Sequence, residues 1–219
     1  MTRNQQSDQR TQRVKKILEA LERQYPEAPL ELKYSNAFEL LIAVLLSAQT
    51  TDKRVNEVTR QLFQKYRTPE DFLRVPLETL EQELRPTGYY RKKAQAVRAV
   101  SQMLVERFGG QVPRSIDQLV QLPGVGRKTA AMVLGNAYRI NEGIAVDTHV
   151  QRVAQRLQLT DKKTPEKIEQ DLMALVPREK WTWFSNALIL HGRYVCQARK
   201  PRCEDCVLEP WCPYPDKNL

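Results

Sequence analysis

Apolar residues recur at helical spacing along nearly the whole chain, and no stretch alternates as a half-buried strand would. Val14, Ile17, Leu18 and Leu21 form one stripe between Thr11 and Gln24. Val55, Val58, Leu62 and Phe63 form another, in a segment that Asp52 is placed to cap. The run Phe38–Leu46 is apolar apart from Glu39, which predicts a buried core helix capped by Asn36 and too short to cross a bilayer. Thr68–Pro69 and Thr164–Pro165 read as N-cap and first-turn pairs, and Ala94–Phe108 and Lys167–Val176 as further amphipathic segments. Proline and glycine fall between these elements rather than inside them. The pattern predicts an all-α protein of roughly ten helices, without repeats or low-complexity linkers. A length of 219 residues suffices for one large domain or two small lobes.

Chemistry concentrates between Leu122 and His149, where LPGVGRKTA is followed by VDTH. Gly124 and Gly126 flank Val125 in a turn that only glycine makes cheaply, and Pro123 ends whatever precedes it. Ser115 followed by Gln118 reads as a capping box opening a short helix, and Arg127–Tyr138 reads as a second helix with Ala131, Leu134 and Tyr138 on one face. Helix, hairpin and helix together present backbone N–H groups and a positive helix end, which suits a phosphate. Lys128 sits in the first turn of the second helix beside Arg127, nineteen positions before Asp147. A lysine is ordinarily a solvated surface charge. Here the helix start and the neighbouring cation both favour the free amine, a nucleophile able to attack a sugar carbon of bound nucleic acid. Asp147 would then stabilise positive charge on that sugar or shuttle protons.

The charge balance fits such a partner. The net charge is +9 with an isoelectric point near 9.5, and Arg85–Arg107 holds six Arg or Lys against Glu106 alone. A solvated basic helix face would give the same count. The first ten residues, MTRNQQSDQR, contain no apolar stretch of the secretory kind, though their Arg and Gln content faintly resembles an organellar presequence. A soluble intracellular protein without membrane association is expected.

All four cysteines lie near the C-terminus, at Cys196, Cys203, Cys206 and Cys212, in the spacing C-x6-C-x2-C-x5-C. Four thiolates this close can wrap one metal centre. A tetrahedral zinc site usually uses two short C-x2-C knuckles, whereas longer gaps suit a [4Fe–4S] cube; the spacing leaves both open and favours the cube. Arg199, Lys200 and Arg202 would make the first inter-ligand loop a basic finger stiffened by the metal.

LLIAVLLSAQTTD (Leu40–Asp52), LPGVGRKTA (Leu122–Ala130), VDTH (Val146–His149) and LILHGRYVCQARKPRCEDC (Leu188–Cys206) together resemble the endonuclease III family of base-excision DNA glycosylases over nearly the whole chain. The resemblance implies a two-lobed helix-hairpin-helix glycosylase fold. A six-helix barrel would span 30–142, with the hairpin at about 115–138. An iron–sulfur lobe would combine 1–29 with 143–219, and DNA would cross the cleft between the lobes. It further implies that the lysine matching Lys128 attacks C1′ and forms a Schiff base, with the aspartate matching Asp147 assisting. β-Elimination then nicks the strand 3′ to the abasic sugar. Oxidised or saturated pyrimidines such as thymine glycol in duplex DNA would be the substrates, and Cys196, Cys203, Cys206 and Cys212 would bind one [4Fe–4S] cluster.

Gln49 matches the family's glutamine that enters the space vacated by the flipped nucleotide. The second wedge loop is Pro86-Thr87-Gly88-Tyr89-Tyr90, where Tyr89 replaces an aliphatic residue of some relatives. Contacts to DNA are therefore expected from Gln49, Thr87, Gly88, Tyr89, Leu122, Gly124, Val125, Gly126, Arg127, Arg199 and Lys200. His149 and His191 read as buried structural histidines, and Trp181, Trp183 and Phe184 as core. Two rivals stand beside this reading. One is a non-catalytic DNA-binding protein with a zinc or iron–sulfur module, against which Lys128 and Asp147 argue. The other is a monofunctional mismatch glycosylase, a type that lacks the lysine and carries a further C-terminal domain; this chain stops seven residues after Cys212. A cytoplasmic monomer is expected, nucleoid-associated if the source is bacterial.

Overall fold

The computed structural model describes residues 3–219, with side chains described from Gln9 onward. Met1 and Thr2, which open the segment weighed above as a leader, lie outside the described residues. Among the described residues there are eleven α-helices and no strand, and no helix is long and apolar enough to cross a membrane. Two compact units divide the chain, one of residues Leu30–Glu142 and one combining Gly143–Leu219 with the segment up to Pro29.

In the first unit the core is α2 (Ala37–Leu46), preceding α3 (Asp52–Lys65), α4 (Pro69–Arg74), α5 (Leu77–Leu84), α6 (Tyr90–Phe108), α7 (Ile116–Leu119) and α8 (Arg127–Val133); α1 (Arg3–Gln24) belongs to the other unit. Leu40, Leu41 and Ile42 are fully buried as α2 packs against α3, α6 and α8. Each such side chain contributes roughly 1.5–3 kcal/mol. Asn36 caps α2 by accepting from Glu39 N at 2.9 Å. Thr68 and Asp71 form a full capping box on α4, with Pro69 in its first turn.

Three local expectations are corrected. Thr51, not Asp52, caps α3, because its extended backbone lets the hydroxyl accept from Arg54 N; Asp52 instead meets the positive helix end in the first turn. The inner face of α3 is Val55, Thr59 and Leu62, with Val58 and Phe63 only half-buried. The helix expected over Arg127–Tyr138 widens into a π turn at Leu134–Tyr138. Asn136 Nδ2 donates to Met132 O at 2.9 Å, Tyr34 donates to Asn136 O at 3.2 Å, and Arg139 closes the turn at φ 58°.

In the second unit α9 (Thr148–Arg156), α10 (Pro165–Leu175) and α11 (Trp181–Tyr194) follow in order, and α1 turns Val14, Ile17, Leu18 and Leu21 inward. α11 packs against α9 and α1. Trp181 and Phe184 are buried, while Trp183 is half-buried and donates its indole N–H to Tyr25 O at 2.8 Å. α9 and α11 pack tightly at Gly192, where a Cβ would lie 2.8 Å from His149 Cβ. Gly192→Ala is therefore expected to cost about 1–3 kcal/mol by overpacking, read as a lower thermal midpoint.

Candidate active site and thiol pocket

The hairpin is built from short-range bonds. Ser115 caps α7 by accepting from Gln118 N, while the Gln118 side chain takes the Ser115 hydroxyl, so the expected capping box is half formed; Ile116 N is bound by Glu142 Oε2 at 2.8 Å. Leu122 and Val125 are buried, and Val125 N donates to Leu122 O at 3.1 Å. Gly124 sits at φ 75°, a conformation that a side chain rarely adopts. Gly126 is the N-cap of α8 and has no side-chain oxygen, which leaves the first-turn N–H groups without that acceptor. Gly124, Gly126, Arg127 and Lys128 are exposed, whereas Thr129 and Ala130 directly behind them are buried. The helix thus anchors its inner face and leaves Lys128 exposed.

Asp147 lies in the other unit and is the N-cap of α9. Its Oδ1 accepts from both His149 N and Val150 N at 2.8 Å, so the cap uses one carboxylate oxygen. Charge and helix start together fix the carboxylate. Sequence reasoning found the residue but not this cap, which is carried by the extended backbone of Asp147 (ψ −175°). His149 is half-buried rather than buried, its ring nitrogen 3.2 Å from Arg152 Nη2; desolvation holds its pKa below the ordinary value. His191 is buried as expected, and its pKa falls to about 4 through burial.

Cys196, Cys203, Cys206 and Cys212 are free thiols that line one pocket, partly open to solvent. Among the described residues no three His, Cys, Asp or Glu side chains are placed to hold a single metal ion. Burial pushes the Cys206 thiol up to about 11 and raises Cys212 as well. Around the pocket stand groups the spacing did not reveal. Arg156 Nη1 donates to Cys196 Sγ at 3.2 Å, and His191 Nε2 lies 3.5 Å from Cys206 Sγ. Arg156 also binds Gln197 O and Ala198 O, and Arg152 binds Cys196 O. The loop expected to be stiffened by a metal is thus held by protein contacts too, and its Pro201 is buried. Arg199 and Lys200 are exposed, while Arg202 pairs with Asp205 at 2.7 Å.

Gln49 and Tyr89 are exposed and share an unusual property: both have positive φ, at 54° and 47°. Such a conformation costs a non-glycine residue on the order of 1–3 kcal/mol, and neither sequence position announces it. Gly88, at φ 68°, and the buried Thr87 complete the second loop.

A glycine hairpin feeding a helix that presents a lysine defines a helix-hairpin-helix protein, and the family model described as "HhH-GPD superfamily base excision DNA repair protein" matches residues 42–178. Endonuclease III of Bacillus subtilis is 50% identical over 189 residues, covering 86% of each chain. A solved non-covalent endonuclease III–DNA complex superposes with a TM-score of 0.89 at 45% identity, covering 93% of this chain and 95% of that one. A trapped endonuclease III–DNA covalent intermediate matches at the same TM-score of 0.89 and 45% identity, covering 93% and 96%. The chain belongs to the endonuclease III family of that superfamily.

Proposed function

We propose that the chain is a bifunctional DNA glycosylase and abasic-site lyase that removes oxidised pyrimidines from duplex DNA. The observation that carries this reading is the exposed Lys128 amine immediately behind the glycine hairpin. The backbone N–H groups of Gly124 and Gly126 and the start of α8 hold a backbone phosphate, which brings the strand to the amine. Lys128 Nζ attacks C1′, the C1′–N bond to the damaged base breaks, and the departing base takes up a proton. The amine proton is lost and ring opening gives an imine between Lys128 and the sugar. Removal of a C2′ proton then expels the 3′ phosphate, and water releases the lysine. The covalent protein–DNA intermediate trapped in a 45% identical relative supports a covalent route.

Asp147, with Oδ1 committed to the cap, offers Oδ2 to the positive charge that develops on the sugar. Asp147→Asn keeps a capping oxygen but loses the charge. Excision is expected to fall on the order of 10²-fold, as for loss of one electrostatic stabiliser, while the thermal midpoint stays nearly unchanged. An equal fall in both would reduce Asp147 to a cap.

Cys196, Cys203, Cys206 and Cys212 would hold one [4Fe–4S] cluster. Four thiols line a shared pocket, which supplies one thiolate for each iron of a cube, and the sequence has only one short C-x2-C knuckle of the kind a zinc site uses twice. The Arg156 guanidinium beside Cys196 offsets the negative charge of such a centre. When bound, the cluster supplies cross-linking of the segment from Cys196 to Cys212. Arg199 and Lys200 contact DNA from that segment, and the protein acts as a monomer on the cell's DNA. Incubation of the protein with a thymine-glycol duplex tests the reading: a 3′-side nick without alkali is expected, and an intact strand would contradict it.

A further inference from the structure

Within the basic stretch Arg85–Arg107, Lys93 alone among the lysines and arginines is buried, at 6% exposure. It stands at the fourth position of α6, where the helix dipole disfavours a cation, and burial lowers its pKa. Packing alone would be better served there by Leu or Met. The ammonium is instead spent on two acceptors from different loops: Nζ donates to Thr87 O at 2.7 Å and to Thr50 Oγ1 at 2.7 Å. Thr50 Oγ1 in turn donates to Thr87 O at 2.5 Å, which closes a three-membered ring of contacts. Thr50 N is tied back to Ser47 O at 3.1 Å, and Thr87 Oγ1 to Leu84 O at 2.8 Å. Each loop is therefore fixed to the helix it leaves and to the other loop. Directly beside the ring lie the two left-handed residues, Gln49 before Thr50 and Tyr89 two positions after Thr87, the latter 64% exposed.

We propose that Lys93 is a positioning residue that, through Thr50 and Thr87, locks the Gln49 and Tyr89 loops into one rigid pair for insertion into duplex DNA. The inference rests on the glycosylase reading above, in which these two side chains fill the space left by an extruded nucleotide. Two groups entering one base stack must keep a fixed spacing, and strained backbones hold it only when their surroundings over-determine them. Extrusion from a duplex needs this pair. Cleavage of a single-stranded abasic site does not, because no stack has to be refilled.

The test compares Lys93→Met and Thr50→Val with wild type, with Thr50→Ser as the variant that restores the hydroxyl. Three readouts are taken: single-turnover excision of thymine glycol from a duplex, scission of a single-stranded abasic oligonucleotide, and fluorescence of a 2-aminopurine placed beside the lesion. Lys93→Met is expected to lose about 10²-fold in duplex excision, the scale of an ångström-sized misplacement. Thr50→Val is expected to lose about tenfold, with Thr50→Ser returning to near wild type. Single-strand scission should change less than about twofold, and the 2-aminopurine rise on binding should shrink in step with duplex excision. Equal losses on both substrates, or a full 2-aminopurine rise in Lys93→Met and Thr50→Val, would overturn the proposal. Should Lys93→Met not fold, the Thr50 pair carries the comparison. If wild type cleaves neither substrate, the catalytic reading fails, and the 2-aminopurine signal still decides the clamp.

Discussion

Lys128→Ala is expected to abolish strand scission, lowering single-turnover cleavage of an abasic duplex at least about 10³-fold, the scale of losing a catalytic nucleophile. Folding and binding should survive. Lys128 is exposed, and truncating an exposed side chain changes stability by about 0.5 kcal/mol or less. The phosphate site keeps the backbone of Gly124 and Gly126 and the start of α8, which alanine extends as well as lysine does. Affinity for the abasic duplex should therefore fall less than about tenfold, the scale of one phosphate contact. That split separates a nucleophile from a phosphate ligand. A lysine serving only DNA binding would lower affinity and cleavage together.

The second large effect concerns the thiol pocket. Cys206→Ala removes the thiol that sits 3.5 Å from His191 Nε2 in a pocket floored by the fully buried Leu208. Structural metal sites contribute on the order of 10 kcal/mol to the fold around them. The variant should lose most of its iron, and limited proteolysis should open the segment from Cys196 to Cys212 before the rest of the chain. Iron per chain by plasma emission and the order of cleavage by mass spectrometry check this. An alanine variant with full iron content and unchanged proteolysis would remove Cys206 from the ligand set.

What was readable in the sequence is what local chemistry decides. The run AFELLIAVLL declares a core helix because apolar residues on every side have nowhere else to go, and α2 buries them. Asn36 and Thr68 act as caps through bonds to residues three positions on. The hairpin glycines are legible because Gly124 needs a conformation that other residues avoid. The failures are equally physical. Thr51 and Asp52 are both good caps, and only the extended backbone at Thr51 chooses between them. The π turn holds a carbonyl, Asn136 O, that Tyr34 binds from 102 positions away, a contact which no local pattern encodes. Lys93 looks like one more cation in a basic run until Thr50 and Thr87 are seen to surround it. Arg156 likewise shows no link to the cysteines until α9 is placed beside Cys196. Four cysteines announce a shared pocket, but Arg156 and His191, which also line it, come from elsewhere in the chain.

The most direct test of the account is to treat the wild-type protein with borohydride on a thymine-glycol duplex, digest the product, and map the modified residue by mass spectrometry. A protein–DNA adduct whose sugar remnant sits on Lys128 is the predicted result. An adduct on another amine, or none on either thymine glycol or a plain abasic site, would contradict the lysine mechanism and leave the hairpin and thiol pocket with binding alone.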